Sequence, residues 1–103
     1  MATVIVLFNL KEGQSAHDYE QWARAVDVPT VNGLDSVNSF RVYRTKGMLG
    51  TDAPAPYQYI EVLQVTDLAG LGRDISSEEM QQIASSFQGM ADNPTFIICE
   101  QFA

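Results

Sequence analysis

Asp27, Tyr59 and Glu61 are the side chains in this sequence whose type and setting suit proton transfer. Asp27 stands two residues before Pro29 in the run WARAVDVPTV. Proline biases the residue before it away from helix, so the helix carrying Trp22 is predicted to end near Val26 or Asp27. A carboxylate at a helix C-terminus faces the negative end of the macrodipole, where Lys or Arg would stabilise and Asp gains nothing. Two readings follow. Asp27 is a solvated loop residue or turn acceptor for the backbone of 29–33, or it is buried against Trp22 with a proton labile near neutral pH, as a general acid or base requires.

A second set lies on two alternating runs, VNSFRVYRTK over 37–46 and YQYIEVLQV over 57–65. Arg41 and Tyr43 share one parity of the first run, and Tyr57, Tyr59 and Glu61 share one parity of the second. If both sets project on the same face, they form an Arg, Tyr and Glu constellation able to orient a polar heterocycle or carbonyl and to shuttle a proton. The other reading is a cross-strand Arg and Glu pair with aromatic neighbours that stabilises the sheet. Strand register decides between them, and alternation does not set it. Trp22, Thr30 and Phe87 complete the candidate substrate-binding set with Arg41 and Tyr43. Trp22 and Phe87 are core aromatics that can also line a pocket, and Thr30 lies in the stretch that passes the pocket mouth.

Other chemistries lack their parts. The chain has no G-x-G-x-x-G, G-x-x-x-x-G-K-[ST] or G-x-S-x-G motif for dinucleotides, nucleotides or serine hydrolysis. One cysteine, Cys99, and one histidine, His17, provide neither an internal disulfide nor a metal-ligand spacing. Cys99 reads as a small buried hydrophobe, and His17, on the polar side of its helix, as a solvated residue. No cofactor and no metal are expected. A net charge of −7 opposes binding to nucleic acid or anionic lipid. The run ATVIVLFNL lacks a basic flank and a cleavage site and reads as a strand, and no apolar run approaches the roughly 20 residues of a membrane span. The expected location is the cytoplasm.

The elements that must position these residues follow in order. A strand over 3–10 is apolar on both parities. Ser15-x-x-Asp18 has the form of a capping box and opens a helix with Tyr19, Trp22, Ala23 and Val26 on one apolar stripe. The runs at 37–46 and 57–65 are two strands of a hairpin, joined by a long connection over 47–56 that exposes Met48 and Leu49 and is expected to be a lid or dimer arm. Thr66-Asp67 caps a short helical turn. Ser76-x-x-Glu79 opens a longer helix with Met80, Ile83, Ala84 and Phe87 inward, which Asp92-Asn93-Pro94 stops before a last strand over 95–102. The order βαββαβ in one domain of 103 residues is the ferredoxin-like α+β arrangement, a four-stranded antiparallel sheet with helices on one face. The first and last strands are apolar on both faces while helices cover only one. The uncovered face therefore predicts a homodimer packed sheet on sheet.

The quoted segments VIVLFNLKEG, WARAVDVPTV, GLDSVNSFRVYR and APYQYIEVLQV resemble the RedY-like, or HapK, family of prodigiosin-type pigment pathways, over essentially the whole chain. The resemblance implies a dimeric α+β barrel and a cofactor-free cyclase- or dehydratase-like role on a small heteroaromatic intermediate derived from pyrrole or indole. In the sister EthD-like family a histidine commonly stands two residues before a proline at the end of the first helix. Asp27 takes that place here, which keeps a proton-transfer group without the histidine. Two other roles stay open: a cofactor-free monooxygenase, and a non-catalytic carrier of a pathway intermediate.

Overall fold

β-Branched and aromatic residues dominate the strands of the computed structural model, which describes residues 1–103. β1 (Ala2–Leu10), β2 (Val37–Arg44), β3 (Tyr59–Val65) and β4 (Ala91–Cys99) form one antiparallel sheet in the order β2-β3-β1-β4. Val4, Val6 and Phe8 stand opposite Leu63, Glu61 and Tyr59. Directly opposed residues share a face, so this set points together under the helices. Phe8 is fully buried at its centre, stacked on Tyr59 and edge-on to Tyr19 and Phe87. No helix is long and apolar enough to cross a membrane.

The first helix starts as its sequence predicts, with the Ser15 hydroxyl accepting from the Asp18 N–H. It does not stop at Asp27. α1 (Ala16–Trp22) passes into a π-helical turn (Ala23–Asp27) and then into α2 (Val28–Asn32). The Val28 N–H reaches back to the Ala23 carbonyl, five residues away, and the following Pro29 has no N–H to place. A wider turn of this kind absorbs the proline that would break a regular helix. It also rotates the inward stripe to Tyr19, Ala23, Asp27 and Val31, all buried, and turns Val26 outward. The expectation that Asp27 sits at the negative end of a helix is thereby corrected: it is mid-helix and faces the sheet.

After α2, the Asn32 side chain takes the Phe40 N–H on its oxygen and gives its own N–H to the Phe40 and Val28 carbonyls, tying edge strand β2 to the helix. α3 (Leu68–Asp74) is capped by Asp67, whose carboxylate accepts from the Gly70 N–H. α4 (Glu78–Met90) is capped by Ser77, not Ser76. Ser76 instead donates its hydroxyl to the Gly72 carbonyl. Met80, Ile83 and Phe87 are buried as expected, whereas Ala84 is exposed. β4 follows α4 without a connection. The Asp92-Asn93-Pro94 segment lies within β4, where Asn93 takes a positive φ of 45° beside a register shift opposite Leu7 and Asn9.

Candidate active site

Glu61 is a charged residue type on a central strand, facing inward between apolar neighbours and only 5% exposed. The π-helical turn lowers Asp27 toward it from above, and Asp27 is 4% exposed. No hydrogen bond or ion pair offsets the burial of Asp27, and burial alone pushes its carboxyl group up to about 6. Burial first, and then the negative charge of Asp27, push Glu61 up to about 8. The Tyr19 hydroxyl donates to Glu61 Oε2 at 3.4 Å and partly opposes that rise. Tyr19 itself is fully buried, and its phenol is held well above the usual range, first by burial and then by the Glu61 charge. Burial and mutual repulsion thus oppose ionisation of both groups together, and Glu61 is raised the more strongly of the two.

Both carboxyl groups line a cavity of about 300 Å³ between the inner sheet face and the helices. Its walls are otherwise almost wholly apolar, from Val4, Val6, Phe40, Leu63, Met80 and Phe87 among others, and no Lys, Arg or His lines it. The cavity opens beside Gln81, Ala84 and Gln88 of α4 and Phe96 of β4, all exposed residues at its rim. An apolar pocket lined by two carboxyl groups with raised pKa values is equipped for general acid–base chemistry.

A larger groove of about 580 Å³ lies on the other side of Tyr19, toward edge strand β2. Of its charged groups, Glu20 pairs with Arg24 and Arg44, while Arg41 makes no ion pair. Arg44 grips Glu20 with two N–H groups, and the Tyr59 hydroxyl donates to Glu20 Oε2 at 2.7 Å. The Arg44 and Tyr59 bonds hold Glu20 down at about 2. A fixed ion pair leaves no proton to transfer, so the smaller cavity is the better candidate.

Of the sequence-predicted site residues, the structure brings together Asp27, Glu61 and Phe87. Tyr59 contributes its ring to the core, but its hydroxyl belongs to the Glu20 cluster, and burial and the Glu20 bond push it up to about 12. Arg41 pairs with Val62, and Tyr43 with Ile60, so both project away from Glu61, and both line the groove at edge strand β2 that Tyr59 also lines. Glu61 is therefore separated from the arginine and tyrosines of the predicted constellation. Trp22 and Thr30 line a separate shallow pocket between the first helix and α4. Tyr19 was legible only as a core residue. A signal was available, because a buried tyrosine, unlike phenylalanine, needs a partner for its hydroxyl. Nothing in the spacing distinguishes Gln81 and Gln88 from other exposed helix residues.

The family profile described as REDY-like protein HapK matches residues 2–102. HapK from Hahella chejuensis superposes with a TM-score of 0.81 at 31% identity, over 99% of this chain and 93% of its own. SnoaB, a cofactor-independent oxygenase from Streptomyces nogalater, superposes with a TM-score of 0.76 at 10% identity, over 99% and 93%. A dimeric protein of ferredoxin-like fold and unknown function from Bacteroides fragilis gives 0.69 at 10% identity, over 97% and 95%. At that identity the last two share the fold alone. No curated protein matches the sequence.

Proposed function

Because the chain belongs to the REDY-like HapK family, we propose that it is a cofactor-independent enzyme of secondary metabolism acting in the cytoplasm on a heteroaromatic intermediate of a pyrrole- or indole-derived pigment of the prodigiosin type. The intermediate enters the cavity and undergoes an acid–base step of the cyclase or dehydratase kind. In a dehydration, the Asp27 carboxylate takes a proton from the substrate and the Glu61 carboxylic acid gives one to the departing hydroxyl, which leaves as water. The proton then passes from Asp27 to Glu61 and restores the pair. Tyr19 orients Glu61 through its hydroxyl. The observation that carries this reading is a pair of buried carboxyl groups, both raised by burial, on one apolar cavity.

The test is turnover of the pathway intermediate by purified wild type, Asp27→Asn and Glu61→Gln, with melting temperatures recorded alongside. Both variants folded and both nearly inactive is the expected result. Wild-type rates in both would overturn the reading. A base in an apolar pocket also suits substrate deprotonation ahead of reaction with oxygen, and the structurally similar SnoaB is a cofactor-independent oxygenase. Oxygen consumption matched to turnover would select that alternative. The chain is further proposed to work as a homodimer through the helix-free face, where Ile5, Leu7, Ile60, Val62 and Ile97 lie together. A monomer by sedimentation at micromolar concentration would remove that part.

A further inference from the structure

Asp27 poses an electrostatic problem that the protein leaves open. As a residue it is 4% exposed, its carboxyl group borders the cavity, and no N–H, hydroxyl or cation of the chain makes a hydrogen bond or ion pair with it. A buried, unpartnered carboxylate is among the costlier groups a fold can hold, and its usual remedy is a positive charge or a strong donor in contact. None of the cationic side chains lines the cavity. Arg44 is committed to Glu20, Arg24 also approaches Glu20, and Arg41 projects away from Glu61. Glu61 and Tyr19 form their own bond. Nothing in the chain supplies the partner that Asp27 lacks, and a ligand entering the cavity is a source of one.

Size and lining narrow that ligand further. An apolar cavity of about 150 Å³ holds a benzene ring, so one of about 300 Å³ holds two flat rings. The apolar walls favour an organic body over a hydrated metal ion. The net charge of −7 on the chain adds long-range attraction for cations and repulsion for anions.

We infer that the cavity takes its ligand as a cation, a flat two-ring heterocycle whose positively charged ring nitrogen is set against Asp27. This rests on the proposed function and adds the charge of the substrate, or of the species formed from it, to that reading. Carboxylate- and phosphate-bearing heterocycles are excluded by the same carboxyl groups.

Three probes of one outline separate charge from shape: N-methylquinolinium as a fixed cation, quinoline as the neutral isostere, and a quinoline carboxylate as the anion. Calorimetric titration of the wild-type protein at neutral pH should show the cation binding roughly tenfold or more tighter than quinoline, and the anion not at all. In Asp27→Asn, whose melting temperature verifies folding, the affinity for the cation should fall to that for quinoline. Equal binding of cation and quinoline by wild type, or binding of the anion, would overturn the charge selection while leaving the acid–base reading standing. No binding of any probe would overturn the cavity as a ligand site and the proposed function with it.

Discussion

The molecule contains two tyrosine–glutamate pairs a few ångströms apart, and their glutamates behave oppositely. Tyr59 donates to Glu20 and Tyr19 donates to Glu61, while the two tyrosine rings lie 4.8 Å apart. Glu20 is held down at about 2 and Glu61 is pushed up to about 8. The hydrogen-bonded phenol is common to both, so it does not decide the outcome. What differs is that Glu20 has Arg44 and water beside it, whereas Glu61 has apolar walls and Asp27. One sheet edge is thereby a closed ion-pair clamp, and the neighbouring interior holds the carboxyl pair to which the proposed chemistry is assigned. Charge partner and solvent, rather than residue type, assign the roles.

The most severe way to test that contrast is to neutralise the interior. Asp27→Asn or Glu61→Gln is expected to lower turnover by roughly 10²–10⁴, the range in which general acid–base groups contribute. Wild-type turnover should follow a bell in pH, falling below about 6 as Asp27 takes up a proton and above about 8 as Glu61 loses one. Each variant should lose the limb of the group it removes. A flat profile across both values would show that neither group titrates in the reaction.

Stability supplies the next largest effect. The carboxyl of Asp27 titrates higher in the folded protein than its ordinary value of 3.8. For such a group, the contribution of the protonated form is fully present below that ordinary value and is lost as pH rises through about 6. The loss is on the order of 3 kcal/mol, from a rise of about two pH units at 1.36 kcal/mol each. Asp27→Asn should therefore raise the melting temperature at pH values above about 8 and leave it nearly unchanged near pH 4. Equal melting behaviour at both pH values would mean that the carboxyl is solvated and that the cavity is wet.

The two regions were not equally legible in the sequence. Hydrophobic alternation and capping serines and aspartates mark the elements, because those signals are local and the βαββαβ order follows from them. The cap of α4 shifts by one residue since Ser76 and Ser77 are adjacent and only the hydroxyl of Ser77 reaches the Met80 N–H. The sequence marks Asp27 as a carboxylate out of place and Glu61 as a member of a strand-parity set, but Asp27 is unusual because it is buried mid-helix and not because it ends one. Pro29 reads as a helix stop, and a π-helical turn leaves no local sequence mark that separates it from one. Register is the other gap. Parity divides a strand into two faces without saying which face meets which, so Arg41 and Tyr43 could be placed beside Glu61 until the pairing of Val42 with Glu61 put them opposite.

Removing the phenol from the interior pair should act more gently. Tyr19→Phe keeps the ring packed against Phe8 and Trp22 and deletes one hydrogen bond of 3.4 Å. The expected loss of stability is about 0.5–1.5 kcal/mol. Because that bond lowers the pKa of Glu61, the basic limb of the pH profile should move to higher pH while the acidic limb stays. A basic limb that does not move would separate Tyr19 from Glu61 and leave it a packing residue.

The smallest effect is expected from the clamp. Glu20→Gln removes the charge that Arg44 grips and leaves Tyr59 an amide oxygen to donate to. Arg44 is well exposed, and solvent-facing ion pairs contribute little once screening and side-chain entropy are counted. The melting temperature should fall by less than about 5 °C, and the difference from wild type should shrink as salt is added. Turnover should stay within about twofold and both limbs of the pH profile should hold their positions, since Glu20 is fully ionised across that range. A collapse of turnover to the level of Glu61→Gln would place the chemistry in the open groove and would reverse the assignment of clamp and reactive pair. Carrying out the Glu20 and Glu61 substitutions in one series, with the same substrate and buffers, turns the contrast between the two glutamates into a direct measurement.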